Sequence, residues 1–415
     1  MEEYITSEQI LNNLANLPQL VFEVTDACNL KCKYCAFGEF YNDFDKRENK
    51  MFSVSAAKRL IDYLNQYWES ERNTSAQSYM YISFYGGEPL MNFSFIREIV
   101  EYVEKFLNCS RKTFRFSLTT NAILLHRYID YLVEHNFNIL ISLDGNKKND
   151  SYRVDHQGNS SFERVVCNVD LLRDKYPEFF EKNVNFNSVF HNRSTIEEIY
   201  DFFRNNYNKI PSISELNNSG IRSDMLDEFN LTYRNSEESL LQAENYEKIE
   251  KDLFLGTKGY NDLAIYLRRY SQNYYRDYTD LLFDRKQIKY VPTGTCMPFS
   301  RKMFVTVNGK ILPCERIGHQ FYLGNVSETD IELNAIEIAK RYNAYFDKMN
   351  NQCSHCKNKP SCIQCMFNIK DIDRNPICYG FMSGKMMDQF EQQQFQFMRK
   401  HPEAYGRIMK EILVI

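Results

Sequence analysis

The sequence predicts an α/β fold: a partial (β/α)6 barrel of the TIM type, followed by a small cysteine-rich domain of β-hairpin and helical segments that binds metal clusters. Two observations lead to this prediction. Short apolar runs alternate with helical patterns through the first half of the chain, which is typical of βαβ units around a parallel sheet. Most of the 12 cysteines fall into two groups, one before residue 36 and one after residue 295.

The strand and helix patterns can be placed in order along the chain. The first strand is predicted at Gln19 to Thr25, an apolar run, and a helix with apolar residues at helical spacing follows at 53–68. Further strands are predicted at 79–87, 114–121, 137–145, 183–192 and 210–218. Further helices are predicted at 93–107, 126–136, 161–176 and 194–206. Because such barrels carry their chemistry at the carboxyl ends of the strands, we expect functional residues there.

Changes in composition suggest the boundaries between domains. The predicted units are an N-terminal segment at 1–18, the partial barrel at 19–215, a mostly helical connection at 216–290, the cluster-binding domain at 291–384 and C-terminal helices at 385–415. The cluster-binding domain shows little helical pattern before its end. Its stretch VTVNGKILPC predicts a β-hairpin, because Asn-Gly favours a tight turn between strands.

Composition restricts the partners and the location of the protein. The net charge of -4 gives no reason to expect nucleic acid or an anionic membrane as a partner. No apolar run approaches the roughly 18 residues of a transmembrane helix, and the first residues are unlike a secretory signal. We therefore expect a cytoplasmic protein, in which cysteines are not explained by disulfides. The isolated Cys109 and Cys167 are predicted to be small buried apolar residues.

The first cysteine group has the sequence CNLKCKYC, which contains Cys28, Cys32 and Cys35. Three thiolates are one short of the usual four, and a zinc site or a chance cluster is the competing interpretation. The motif resembles that of radical S-adenosylmethionine (SAM) enzymes, in which three cysteines hold a [4Fe–4S] cluster. The resemblance implies that SAM itself binds the open iron. Tyr34, an aromatic residue before the third cysteine, is also typical of that family.

Later strand ends carry residues that match SAM contacts of the same family. The stretch GGEP is implied to contact the SAM ammonium, and Ala122 in TTNA stands where the family has glycine. The stretch SLDG and a nearby arginine are implied to lie near the SAM carboxylate and ribose, and an asparagine of the fifth strand near the ribose or adenine. The residues concerned are Gly86, Gly87, Glu88, Pro89, Thr119, Asn121, Ser142, Asp144, Arg153 and Asn187.

The second cysteine group resembles the SPASM extension of radical SAM enzymes, although the spacer between Cys362 and Cys365 has two residues where three are usual. Zinc ribbons also pair CxxC motifs with a hairpin, but seven cysteines do not divide into complete tetrahedral zinc sites. The resemblance implies two auxiliary [4Fe–4S] clusters. The outer cluster would be held by Cys353, Cys356, Cys362 and Cys378, and the inner one by Cys296, Cys314 and Cys365. The inner cluster then lacks one ligand. Glu315, beside Cys314, is a candidate catalytic acid or base.

The two resemblances together imply a radical SAM peptide maturase with three [4Fe–4S] clusters. Such an enzyme cleaves SAM reductively to a 5′-deoxyadenosyl radical, which abstracts hydrogen from a ribosomally made peptide, and an intrapeptide crosslink is the expected product. The alternatives are an anaerobic sulfatase-maturing, formylglycine-forming enzyme, a maturase of a small molecule, and a non-enzymatic metal-binding module. Glu315 and the lack of a cysteine at 297–313 disfavour the sulfatase-maturing enzyme, which tends to have an aspartate and an extra cysteine there.

The same resemblance implies the partners of the protein. They are a precursor peptide and an electron donor such as flavodoxin or ferredoxin. Only about twenty residues precede the first strand, so many relatives' N-terminal leader-binding domain has no counterpart here. A separate leader-binding protein, recognition of the leader by another surface of this enzyme, and weak leader binding are the three alternatives.

Overall fold

A computed structural model describes residues 4–75, 79–271 and 291–413 of the chain. Its strands form a single ten-stranded sheet in the order β10-β9-β8-β7-β1-β2-β3-β4-β5-β6. The strands are β1 (Gln19–Thr25), β2 (Tyr79–Gly86), β3 (Thr113–Thr120), β4 (Asn138–Ser142), β5 (Val184–Phe190), β6 (Ser212–Glu215), β7 (Met303–Val305), β8 (Lys310–Leu312), β9 (Gly324–Val326) and β10 (Ile331–Leu333).

The sheet is a partial barrel, as predicted. Strands β1 to β6 are parallel, each paired with its successor, so all six carboxyl ends lie at one end of the barrel. β6 and β10 are the two edges of the sheet, which is therefore not closed. The hairpin predicted around Asn308 and Gly309 is present as β7 and β8, and β7 pairs in parallel with β1. The second cysteine-bearing region thus extends the sheet of the first.

The helices follow the predicted alternation through the first half of the chain. The first seven are α1 (Ser7–Ala15), α2 (Val54–Trp68), α3 (Phe93–Glu101), α4 (Ile129–Glu134), α5 (Phe162–Lys175), α6 (Pro177–Asn183) and α7 (Ile196–Tyr207). The remaining described helices are α8 (Leu226–Thr232), α9 (Ser236–Leu241), α10 (Tyr246–Leu253), α11 (Lys258–Ser271), α12 (Ala335–Cys353), α13 (Gly384–Lys400) and α14 (Pro402–Ile408).

Several predictions about these elements need correction or completion. The predicted helix at 93–107 ends as α3 at Glu101 and continues as one π-helical turn. The 19-residue helix α12 occupies a region predicted to have little helix; its buried face includes Ile338, Tyr342 and Phe346 at helical spacing. Helices α8 to α11 occupy much of the predicted helical connection up to 271, and its residues 272–290 lie outside the described part. Cys167 is exposed, so its predicted burial is wrong.

The two faces of the barrel strands differ in polarity. Phe22 of β1 is fully buried on the outer face, where its ring packs against the rings of Phe52 and of Phe95 on α3. The inner face carries polar side chains instead, including Ser83, Ser117 and Asn138, which are aligned across adjacent strands and line a cavity. A closed TIM barrel fills this space with packed apolar layers. Here the interior is open to a polar ligand.

Helices α11, α13 and α14 form a second, smaller core. Tyr260 and Leu263 of α11 are buried there with Ala404 and Ile408 of α14. These helices confirm the prediction that the chain ends in one or two helices. Among the described residues, no helix has both the length and the apolar composition needed to cross a membrane.

Candidate active site

The first cysteine group lies in the loop after β1 and opens on a cavity of about 750 Å³. Cys28, Cys32 and Cys35 all line this cavity and are half-buried. Burial raises the pKa of Cys28 to about 11 and that of Cys32 to about 12, and the negative charge of the neighbouring thiols adds to both shifts. Buried thiols of this kind ionise only when a cationic centre compensates the charge. The donor set thus fits a metal cluster that keeps one position open towards the cavity.

Hydrogen-bond donors surround the sulfur atoms of this group. The backbone N–H of Leu30 donates to Cys28 Sγ at 3.4 Å, and Asn121 Nδ2 lies 3.8 Å from the same atom. Arg153 Nη1 donates to Cys32 Sγ at 3.6 Å. Such donors stabilise thiolates and tune the clusters that thiolates hold.

Tyr34 lines the cavity through a side chain that is anchored behind it. Its hydroxyl donates a hydrogen bond to the buried carboxylate of Asp144, whose other oxygen accepts the backbone N–H of Val189 at 2.9 Å. His191, fully buried, stacks on the Tyr34 ring with centroids 5.6 Å apart. Asp144 therefore orients Tyr34 from within the wall and does not itself line the cavity. His191 is a residue that the sequence did not single out.

The GGEP turn after β2 lies against the start of the cysteine loop. A Cβ added at Gly87 would meet the carbonyl oxygen of Ala27 at 1.9 Å, and one at Gly86, where φ is +136°, would meet that of Thr25 at 2.3 Å. Both glycines border the cavity, as expected for SAM contacts. Their small size, however, is required by the close approach of two backbone segments, and not by a ligand.

Glu88, for which the family resemblance implies a contact with the SAM ammonium, does not line the cavity in this structure. It is fully buried, and its carboxylate accepts bonds from Thr120 Oγ1 and the Asn121 N–H, both at 2.7 Å, and from the Leu90 N–H at 3.1 Å. Burial raises its pKa. These contacts tie the end of β2 to the end of β3. Pro89 begins the short turn that follows and is buried too.

The remaining predicted SAM contacts also line the cavity. Thr119, Asn121 and Ser142 lie at or just beyond the ends of β3 and β4, whereas Asn187 lies within β5 and Arg153 in the segment after β4. Ala122 has a φ of +61°, a left-handed conformation that explains why glycine is usual at this position.

The second half of the chain contributes a charged pair to the same cavity. Lys302 Nζ donates to Glu315 Oε1 at 3.1 Å, and both side chains are largely buried. Burial alone would raise the pKa of Glu315, but the Lys302 ammonium, a backbone hydrogen bond and Arg316 together lower it. Glu315 is therefore an ionised carboxylate. Its Oε2 also lies 3.6 Å from Cys314 Sγ. Lys302 is not among the residues predicted from the sequence.

The cysteines of the second group influence one another electrostatically in the folded chain. Cys353, Cys356, Cys362 and Cys378 are close enough for their charges to influence one another's pKa values. In the same way, Cys296 raises the pKa of Cys365, and Cys296, Cys314 and Cys365 all act on the buried Tyr342. Across the described part of the chain, no three His, Cys, Asp or Glu side chains converge closely enough to hold a single metal ion. A cubane cluster does not require that convergence, because each of its thiolates binds a different iron.

Comparison with known families agrees with both halves of this site. Residues 22–205 match the radical SAM superfamily, and residues 296–366 match SPASM, an iron–sulfur cluster-binding domain. The solved structure of native anSMEcpe with bound AdoMet superposes with a TM-score of 0.60 at 17% identity, covering 94% of this chain and 98% of that one. That likeness supports the fold.

Two curated relatives are similar over most of the chain. The cysteine-type anaerobic sulfatase-maturating enzyme of Clostridium novyi (strain NT) is 26% identical, over 84% of this chain and 87% of its own length. The radical SAM cyclopropyl synthase TigE of Paramaledivibacter caminithermalis is 22% identical, over 80% of this chain and 64% of its own length. With the cysteine loop, the cavity and both family matches in place, this chain is a radical SAM enzyme with a C-terminal SPASM domain.

Proposed function

We propose that this enzyme is a peptide maturase that oxidises a ribosomally made peptide and forms a crosslink within it. The observation that carries the proposal is that one cavity is shared by the cysteine loop of the barrel and the Lys302–Glu315 pair of the SPASM domain. A substrate in this cavity can reach both a radical source and a carboxylate base. The curated relatives, which are named for sulfatase maturation and cyclopropyl synthesis, support a peptide or protein substrate.

The cluster assignments follow the three sets of cysteines. Cys28, Cys32 and Cys35 would hold the cluster that binds SAM, and the inner and outer sets of the SPASM domain would hold two auxiliary clusters. When bound, the clusters and SAM supply the radical that removes one hydrogen atom from the peptide and the acceptor that takes one electron. An electron donor such as flavodoxin or ferredoxin would reduce the SAM-binding cluster.

The residues at the strand ends would hold and orient SAM. Tyr34 of the cysteine loop and Gly86, Thr119, Ser142 and Asn187 of four different strands border the cavity and offer backbone and side-chain polar groups to it. Glu88, Pro89 and Asp144 act indirectly, since their side chains lie in the wall and fix the neighbouring segments.

Glu315 would be the base of the reaction. Crosslinking removes two hydrogens from the peptide, one as a hydrogen atom and the other as a proton accompanied by loss of an electron. An ionised carboxylate inside the cavity can accept that proton. Lys302 keeps Glu315 ionised in the resting state and would stabilise charge in its neighbourhood.

The second candidate function is maturation of a sulfatase, and the similarity to the Clostridium novyi enzyme over 84% of this chain favours it. Two features of the chain disfavour it. No cysteine lies between Cys296 and Cys314, and Lys302 occupies part of that interval. The residue after Cys314 is Glu315, whereas an aspartate is expected there in sulfatase-maturing enzymes.

Mass spectrometry of a short peptide encoded beside this gene, co-expressed with the enzyme and purified anaerobically, tests the proposal. We expect the peptide to lose two hydrogens, and the loss to be absent when Cys28, Cys32 and Cys35 are replaced by Ala. Fragmentation would then fail between the crosslinked residues. A hydrazide probe provides the control. Formylglycine is an aldehyde and reacts with the probe, whereas a crosslink contains no aldehyde and does not react.

The outcomes separate the candidate functions. A hydrazide-reactive product made from a Cys or Ser would replace our proposal with sulfatase-type maturation. An unchanged peptide mass in water, with deuterium uptake in deuterated water, would indicate epimerisation and contradict crosslinking.

A further inference from the structure

Arg153 is a buried cation whose guanidinium lies beside a cysteine of the first group. Its side chain is only 8% exposed, and Nη1 donates to Cys32 Sγ at 3.6 Å. Its Nε donates to the carbonyl oxygen of Ser142 at 3.3 Å and lies 3.5 Å from Asp150 Oδ1. Among the described residues that donate to the Cys28 and Cys32 sulfurs, it is the charged one.

The backbone holds Arg153 and Cys32 opposite each other. The N–H of Lys31 donates to the carbonyl of Val154 at 2.7 Å, and the N–H of Lys33 donates to the carbonyl of Tyr152 at 3.3 Å. These two bonds flank the pair on both sides, so the cysteine loop and the segment after β4 run side by side in a fixed register. Arg153 therefore cannot leave Cys32 without breaking backbone pairing.

Two buried carboxylates, Asp150 and Asp144, lie near the guanidinium, and Asp150 is in contact with it. Asp150 is fully buried and also accepts the backbone N–H of Asp144 at 3.1 Å. Asp144 in turn accepts the Tyr34 hydroxyl. The carboxylates compensate the buried positive charge, which would otherwise be costly, and leave Nη1 directed at the sulfur. The arrangement resembles the hydrogen-bonded second layer that orients ligands around many metal centres.

We propose that Arg153 is a positioning residue that sets the reduction potential of the cluster held by Cys28, Cys32 and Cys35. This inference rests on the proposed assignment of a [4Fe–4S] cluster to those cysteines. Reduction adds one negative charge to a cluster, and a nearby cation that donates to a ligand sulfur stabilises the reduced form more than the oxidised form. The potential is thereby raised, and the cluster becomes easier to reduce.

The family resemblance implies a different role for Arg153, which is contact with the SAM carboxylate or ribose. The two roles predict different measurements. A carboxylate contact controls the affinity for SAM and leaves the potential of the SAM-free cluster unchanged. A sulfur contact controls the potential even when SAM is absent.

The test compares two variants of the reconstituted holoenzyme. Asp150→Asn retains Arg153 and an oxygen that can accept the Asp144 N–H. The double variant Asp150→Asn/Arg153→Met also removes the guanidinium, and it avoids leaving an unpaired buried carboxylate that would compromise folding. Circular dichroism and iron content verify that both variants fold and load. The potential is measured by EPR-monitored redox titration, and the signal of the SAM-binding cluster is identified by its change when SAM is added.

Asp150→Asn is the reference for the double variant, because the loss of the Asp150 carboxylate is common to both proteins and only the guanidinium differs. We expect the double variant to show an approximately tenfold lower ratio of reduced to oxidised cluster at a fixed ambient potential, a shift of about 59 mV to more negative values. The potentials of the auxiliary clusters should stay constant. An unchanged potential with weaker SAM binding would overturn the inference and assign Arg153 to SAM. No peptide is present in this experiment, so its result is independent of the proposed maturase activity, and a protein without a cluster at these cysteines would be recognised by its iron content.

Discussion

Replacing Gly87 by Ala should disrupt the contact between the GGEP turn and the cysteine loop. The added Cβ would lie 1.9 Å from the Ala27 carbonyl oxygen, whereas ordinary contact begins at 3.4 Å, so the two segments must separate by about 1.5 Å, the difference between these values. The obstructing atom belongs to the backbone and cannot rotate away. Separation also strains the bonds from Gly87 N–H to Thr25 O at 2.8 Å and from Glu88 N–H to Ala27 O at 2.9 Å.

The loss of folding stability caused by Gly87→Ala can be worked out from these contacts. Overpacking costs about 1–3 kcal/mol, and weakening two backbone hydrogen bonds adds roughly 1 kcal/mol. We therefore expect Gly87→Ala to lower the free energy of unfolding by about 3 kcal/mol. Because Cys28 directly follows Ala27, the displaced loop should also bind SAM more weakly.

Urea unfolding, iron content after reconstitution and SAM binding by calorimetry measure these effects. Gly406→Ala is the matched control, because it adds the same methyl group within α14 with nothing inside 4 Å of the new atom. Alanine is also the better helix former, so the control should be neutral or slightly stabilised. Wild-type stability together with wild-type SAM affinity in Gly87→Ala would refute the role assigned to this glycine.

Three further substitutions test separate parts of the account. Glu315→Gln should lower the rate of peptide modification by about 100-fold or more while SAM affinity, measured by calorimetry, stays constant; an unaltered rate would exclude Glu315 as the base. Tyr34→Phe removes the donor to buried Asp144 and should cost about 1–3 kcal/mol in urea unfolding. Burial lowers the pKa of Lys112 to about 8 in the folded protein, from 10.5 in the unfolded chain. Between these two pH values the unfolded chain binds one more proton than the folded protein, so the free energy of unfolding of the wild type should rise with pH. Relative to Lys112→Met, the rise should reach roughly 3 kcal/mol, and parallel stability curves for the two proteins would contradict it.

The sequence was sufficient for features that depend on short-range pattern. The parallel strands and the helices between them follow from apolar periodicity, and the division of the SPASM cysteines into two sets is what the family resemblance implies. Even the departure at Ala122 was visible, and the structure gives its physical counterpart in a φ of +61°.

Features that depend on tertiary partners were not accessible in the same way. The sequence shows only that Glu88 follows two glycines. Its carboxylate is buried in the cavity wall because Thr120 and Asn121, at the end of β3, donate hydrogen bonds to it. Lys302 lies between Cys296 and Cys314 but is not one of the residues that define the motif, and only its contact with Glu315 shows that it borders the cavity. Helix α12 mixes ten apolar residues with nine polar or charged ones, so its helical pattern is weak in the sequence and its buried face is defined by its tertiary partners.

The central claim is that hydrogen moves from a peptide in this cavity to the adenosyl group of SAM. Its most direct test uses a precursor peptide uniformly deuterated at its carbon-bound positions, incubated in ordinary water with the reconstituted enzyme, SAM and a reductant. The 5′-deoxyadenosine formed is then analysed by mass spectrometry. The account predicts one deuterium in that product, and none when Cys28, Cys32 and Cys35 are replaced by Ala. Modified peptide accompanied by unlabelled 5′-deoxyadenosine would contradict direct abstraction from the peptide.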